Sequence, residues 1–152
     1  MQNWFILLGR LILKRSTKEE KLQRIIQSEK FLNQTQDLDV LLETLLTEAR
    51  TIVNADAGSI YVVEEDRLRI KYAQNNTQLK KLSAGEKLPF VSFSFPMNEY
   101  SIAGYVASKK ETLNIADVYN IAADSTFKFN TQPDKDTGYR TKSMLTIPLI
   151  SA

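Results

Sequence analysis

Asp134-Lys135-Asp136-Thr137-Gly138-Tyr139-Arg140-Thr141-Lys142-Ser143-Met144-Leu145-Thr146-Ile147-Pro148-Leu149 changes character halfway along. Its first half crowds short hydroxyl and carboxylate side chains around Gly138, the chemistry of a turn whose side chains bond their own backbone. Its second half is an apolar run that reads as a buried strand. A polar turn feeding a buried strand puts hydrogen-bonding groups at the mouth of a sheet, where a small ligand can be held.

Upstream of that stretch the chain reads as short elements joined by irregular segments. Tyr100 to Ser108 predicts a short helix capped by Ser101, and Thr112 to Ile115 a short strand. Between Val118 and Gln132 the sequence predicts an irregular connection with one helical turn, anchored by Phe127 and Phe129. Ala55 to Gly58 reads as a turn, Ser59 to Val63 as a strand and Glu64-Glu65-Asp66 as a hairpin turn. Arg67 to Tyr72 alternates polar and apolar, which fits a strand with one wet face. Asn75 to Lys87 is polar, a loop with a little helix, and Pro89 to Met97 reads as extended.

The strongest periodic signal lies earlier. Leu38, Leu41, Leu42, Leu45, Leu46, Ala49, Ile52 and Val53 follow helical spacing, with Asp37 as the cap and an end near Asn54. Glu43, Thr44, Glu48 and Arg50 fall on the opposite, polar side of that helix. Before it, Ser16-Thr17-Lys18-Glu19 has the spacing of a capping box. The helix it opens runs to Phe31 or Leu32 with only a thin apolar stripe (Leu22, Ile25, Ile26, Leu32), which suits a two-helix contact better than a globular core. Residues 1–15 hold the run Trp4 to Leu13, interrupted by Arg10 and about half the ~20 residues a bilayer span needs. Two readings stand for it: an apolar helix packed on a partner or on the domain, or an interfacial helix with Trp4 and Phe5 among lipid headgroups and Arg10, Lys14 and Arg15 near phosphates. No secretory leader is expected.

Composition narrows the chemistry. With 43% apolar and 25% charged residues the chain is an ordinary globular sequence able to build a core. Twenty basic residues against eighteen acidic are too balanced for a nucleic-acid footprint, and no nucleic-acid partner is expected. There is no cysteine and no histidine. Disulfides, zinc–thiolate sites, thiol nucleophiles and Ser-His-Asp triads are therefore excluded, as is a covalently attached bilin. The five glycines are isolated, so no phosphate-cradling loop exists. The carboxylates of Glu64-Glu65-Asp66 suit a solvated turn; Asp134 and Asp136 suit either a turn or a site. Nothing points to an enzyme, no metal is expected, and the cytoplasm, with or without membrane association, is the expected location.

From Asp37 onward the chain resembles a GAF domain, the small-molecule sensing module of cyclic-nucleotide phosphodiesterases, cyclases, sensor kinases and phytochromes. Three stretches carry the resemblance in order: the leucine-rich helix with Ala55-Asp56-Ala57-Gly58-Ser59-Ile60-Tyr61-Val62, then Ser101-Ile102-Ala103-Gly104-Tyr105-Val106-Ala107 with Leu113 to Tyr119, then Asp134 to Leu145. The implied fold is α+β, a GAF-like (PAS-related) antiparallel sheet flanked by helices. The implied organisation is an apolar segment over 1–15, a linker or dimerisation helix over 16–36, and a partial GAF domain over 37–152. Two further strands and a closing helix are expected after the Pro148 strand and are not in this sequence; either it is a fragment of a longer receptor, or it is a truncated product that must complete its sheet differently. The resemblance implies a cyclic nucleotide or related small molecule bound by Ser59, Ile102, Ala103, Phe129, Asp134, Thr137 and Thr141. Hydroxyls would meet a phosphate or base edge, Asp134 a base amine, Phe129 a ring face, and Ile102 with Ala103 an apolar wall. It also implies a homodimer through the N-terminal helix. The alternative is a GAF-like module that binds no ligand and serves dimerisation.

Overall fold

A computed structural model describes residues 4–11, 17–34, 38–83 and 93–150. Its order is β1 (Trp4–Leu11), α1 (Lys18–Gln34), α2 (Leu38–Val53), β2 (Ala55–Glu64), β3 (Arg67–Asn75), α3 (Asn76–Leu79), β4 (Ser94–Pro96), α4 (Ile102–Lys109), β5 (Leu113–Ile115), α5 (Gln132–Thr137) and β6 (Met144–Leu149). The strands form one antiparallel sheet in the order β4-β3-β2-β1-β6-β5. This is the α+β architecture expected from the sequence.

α2 covers one face. Leu42 and Leu46 pack on Ala55 and Ile60, with Leu145 and Leu149 of β6 joining from across the sheet. The helix ends at Asn54, whose φ of 56° is the left-handed conformation that stops helices. β2 begins at once, so Ala55 to Gly58 is strand and not the expected turn. α4 covers the other face: Ala103, Val106 and Ala107 pack on Leu68, with Tyr61 and Val63 beside them. Ser101 caps α4 as expected, its Oγ accepting from the Gly104 N–H at 3.0 Å. Gly104 has no substitute there, because a Cβ would sit 2.3 Å from the Asn98 carbonyl oxygen.

Arg50 departs from the sequence reading. It lies on the last turn of α2 yet is buried, with its guanidinium under the sheet. Nη1 donates to Gln74 Oε1 and Nη2 to the Asp56 carbonyl oxygen, each at 2.7 Å. Burial pulls its pKa down and neighbouring Asp56 opposes that pull. Gly58 makes the passage possible, since a Cβ there would stand 2.8 Å from Arg50 Cδ and 2.9 Å from Leu46 Cδ1.

The capping box sits one residue later than expected. Thr17 Oγ1 accepts from the Glu20 N–H at 3.2 Å, and Glu20 Oε2 accepts from the Thr17 N–H at 2.9 Å. Ser16, the Asp37 cap and the first part of the extended stretch after Pro89 lie outside the described residues. The connection from Val118 to Asn130 contains no helical turn, and the helix falls instead on Gln132–Thr137. The polar turn expected from Asp134 is therefore a short helix, opened by Pro133 and closed by Gly138 at φ 62°.

The largest correction concerns Trp4–Leu11, the described part of the apolar N-terminal segment. The helix expected there, on a partner or at a membrane, is the strand β1, hydrogen-bonded between β2 and β6. A short apolar run does not distinguish helix from strand by periodicity. Two neighbouring strands, each with a row of backbone groups to satisfy, decide the matter. β6 has partners on both sides, β1 and β5. Its Pro148 lies past the last residue paired with β5, at a point where only β1 is alongside, so the missing N–H interrupts no ladder on that side. Among the described residues no helix is long and apolar enough to cross a membrane.

Candidate functional site

Between the sheet and the irregular segment is a cavity of about 170 Å³ with a mostly apolar wall. Strand alternation places Ser59 and Tyr61 of β2 on its floor, and the register shift at Ile60/Tyr61 brings their partners Ala73 and Ile70 of β3, three residues apart, beside them. The first turn of α4 contributes Ile102 and Ala103. Phe129, then Asp134 and Thr137 of α5, and Thr141 close the remaining side. All seven residues singled out from the sequence thus line one cavity: Ser59, Ile102, Ala103, Phe129, Asp134, Thr137 and Thr141.

Their hydrogen bonds give several of them a structural task. Asp134 accepts three bonds: Oδ2 from the Thr141 N–H at 2.7 Å and from the Tyr119 hydroxyl at 2.8 Å, and Oδ1 from the Thr141 hydroxyl at 2.7 Å. The Thr137 hydroxyl donates to the Pro133 carbonyl at 2.7 Å and accepts from the Tyr139 N–H at 3.3 Å. Gln78 of α3 donates to the Thr137 carbonyl at 2.8 Å, which ties α5 to the end of β3. The Asp134 carboxylate expected to meet a base amine is, in this structure, the fastening of α5 to the chain leading into β6. A carboxylate has about four acceptor positions, so little of its capacity remains for a ligand.

Tyr119 is the residue that sequence reasoning missed. Its ring meets Phe129 edge-on at 5.2 Å and lies under the Arg140 guanidinium at 4.0 Å, while its hydroxyl holds Asp134. Fifteen residues separate it from Asp134, and no local pattern links the two. The bond to the Asp134 carboxylate, then loss of solvent, raise the Tyr119 pKa above the ordinary phenol value; Arg140 pulls the other way. A raised folded-state pKa stabilises the protein below the ordinary value of about 10 and loses that contribution as pH rises through the folded value. Tyr119→Phe is therefore expected to remove one late-titrating phenol from the near-ultraviolet alkaline titration and to flatten the accompanying loss of stability. Loss of a phenol that titrates at the ordinary value, with the late-titrating ones intact, would refute the Tyr119–Asp134 bond. Tyr61, whose pKa burial also raises, supplies the internal comparison.

The GAF domain family matches residues 37–152. A probable 3′,5′-cyclic phosphodiesterase of Caenorhabditis elegans, pde-5, is 31% identical over 120 residues, which is 74% of this chain and 15% of that protein. The chain thus spans a small part of that relative's length. Three solved structures share the fold. The GAF domain of a Coxiella burnetii phosphoenolpyruvate-protein phosphotransferase (ptsP) has a TM-score of 0.58 at 17% identity, covering 90% of this chain and 81% of that one. That of the Acinetobacter phosphoenolpyruvate-protein phosphotransferase has a TM-score of 0.55 at 15% identity over 89% and 78%. The A. aeolicus nlh2 GAF domain in an inactive state has a TM-score of 0.55 at 17% identity over 89% and 83%. The chain belongs to the GAF domain family.

Proposed function

We propose that the cavity is the sensing site of a regulatory module and takes a cyclic nucleotide or a related small molecule with a planar ring. The observation that carries this reading is the convergence of Ser59, Ile102, Ala103, Phe129, Asp134, Thr137 and Thr141 on one cavity. The likeness to a protein named as a probable 3′,5′-cyclic phosphodiesterase supports the ligand class. Small-ligand sites usually measure ~300–1,000 Å³, so a cavity of about 170 Å³ encloses a ring and not a whole nucleotide. The sugar and phosphate then lie towards α5, and binding remakes part of the Asp134 network. That rearrangement of α5 is the signal the module passes on to an output domain of phosphodiesterase, cyclase or kinase type. The reading assigns no catalysis to this chain.

Calorimetric titration with cyclic AMP and cyclic GMP tests it, with binding of at least one expected. Ala73→Leu, on the cavity floor, should remove that binding and leave the thermal midpoint near that of the parent chain. Heat-silent titrations with both nucleotides, confirmed by a fluorescent analogue, would end the nucleotide reading.

A second reading, ligand-free dimerisation through α1, is favoured by one observation. Leu22, Ile25 and Ile26 of α1 are 57%, 47% and 47% exposed. Such a stripe is covered when two copies of α1 pair. Sedimentation should show a concentration-dependent dimer that Leu22→Lys with Ile25→Lys disperses; a parent chain monomeric at every concentration rejects this reading.

A further inference from the structure

We propose that a second cavity, within the irregular segment between β5 and α5, is a binding site for a small planar monocarboxylate. It measures about 270 Å³. That is larger than the sensing cavity and near the lower end of the ~300–1,000 Å³ usual for small-ligand sites. All its lining residues lie between Val118 and Thr131, so one stretch of chain builds it without β1 or β6. Residues 116–131 hold no helix or strand, and a compact domain that carries so long a stretch usually uses it for function. Backbone bonds set this stretch apart from a loose linker. The Val118 N–H donates to the Lys142 carbonyl at 2.8 Å near one end, and the Lys128 N–H to the Glu99 carbonyl at 3.0 Å near the other. Between them the Ser125 N–H closes a turn onto the Ala122 carbonyl at 3.0 Å. A cavity held in shape in this way loses little freedom when a ligand enters.

The walls set the ligand's chemistry. Buried Val118, with half-buried Ile121, Phe127 and Phe129, makes an apolar interior. The two phenyl rings leave the space open because each packs on a tyrosine, Phe127 on Tyr105 at 5.1 Å and Phe129 on Tyr119 at 5.2 Å. Lys128 supplies the one charge, with the Ser125 and Thr131 hydroxyls near it in sequence, and no carboxylate lines the cavity. The Lys128 ammonium stands over the Tyr100 ring at 6.0 Å and has no salt bridge among the described residues. Its flexible stem leaves it able to turn to an anion. A flat ring meets the aromatic wall, and a carboxylate at one end takes the ammonium and a hydroxyl in charge-assisted hydrogen bonds. A cationic ligand would face Lys128 with no acidic side chain to offset it. Phe129 lines both cavities, so an occupant of this one presses on the wall of the other; that consequence alone rests on the sensing reading.

The probe is benzoate, with benzamide as its uncharged match, titrated into the full chain and followed by amide chemical shifts. Benzoate should give saturable shifts confined to residues 118–131 and bind at least several-fold more tightly than benzamide. Lys128 is exposed, so Lys128→Gln keeps the fold; it should remove the preference for benzoate and leave the benzamide shifts in place. Ala123→Phe, at the exposed rim, fills the space and should remove both. Shifts that fail to saturate, or that centre on Ser59, Ala73 and Ala103 of the sensing cavity, overturn the site. An Ala123→Phe chain that binds benzoate as the parent does overturns it too, since the probe then sits elsewhere. Equal binding of benzoate and benzamide by the parent overturns the carboxylate as ligand. Titration with cyclic AMP and cyclic GMP in the same spectra is independent: the amides of Ser59, Ala73 and Ala103 should respond. Silence there ends the sensing reading and leaves the benzoate result standing.

Discussion

Arg50→Met is expected to lower the stability of the domain by ~3 kcal/mol, seen as a reduced urea midpoint with an unchanged slope. Breaking a buried charge pair costs ~3–5 kcal/mol. The low end applies because the guanidinium bonds an amide and a backbone carbonyl, not the Asp56 carboxylate itself. Two consequences follow from its removal. The Gln74 and Asp56 oxygens lose donors, and the buried Asp56 side chain loses the positive charge beside it. Asp56→Asn removes that stranded charge. The double variant should therefore lose less than the sum of the singles, by ~1 kcal/mol or more. Strict additivity would show that Arg50 acts by packing alone. Gly58→Ala tests the same crossing from the sheet side: it should destabilise by ~1–3 kcal/mol through overpacking, because the added Cβ meets Arg50 and Leu46 below 3.0 Å.

Asp134→Ala should cost ~2–3 kcal/mol and loosen the wall of the cavity. It removes the acceptor for the Tyr119 hydroxyl and for both donors of Thr141. Thr141 is buried, so its N–H is left without a partner in a dry place, at a cost of ~1–3 kcal/mol. Hydrogen exchange at the Thr141 amide is the sharpest readout: it should lose protection in Asp134→Ala while amides at the centre of β2 keep theirs. Equal protection at Thr141 would mean that the carboxylate does not hold this corner. For the same reason Asp134→Ala is a poor probe of ligand contact, since it alters the wall whether or not a ligand touches Asp134. Ala73→Leu, which alters the floor by volume, is the cleaner test.

Much of the site was legible in the sequence because its parts are local. Ser101 before an apolar helix, a hydroxyl-rich segment before a buried strand, and an alternating strand after a short acidic turn each depend on residues within one turn of each other. The convergence of Ser59, Ile102 and Asp134 followed from the likeness of three stretches to one family. What escaped lies in contacts between distant residues. Tyr119 has no neighbour in sequence that marks it as the holder of Asp134. Arg50 obeys the polar side of its helix in every local respect, and only the missing Cβ of Gly58 across the interface makes room for it.

The stretch from Asp134 to Leu149 shows the division most plainly. Its residues alone determined that a polar segment around Gly138 gives way to a strand, observed as Met144–Leu149. They also put hydrogen-bonding side chains at the mouth of a sheet, and Asp134, Thr137 and Thr141 line the cavity there. Tertiary structure decided that Gln132–Thr137 is a helix and that Asp134 turns its oxygens inward to Thr141 and Tyr119. It also decided that the strand's neighbour is Trp4 to Leu11. The reason is the range of the forces involved. Propensity and capping act over a few residues, whereas unpaired strand edges and buried acceptors are satisfied by whatever group the fold brings alongside.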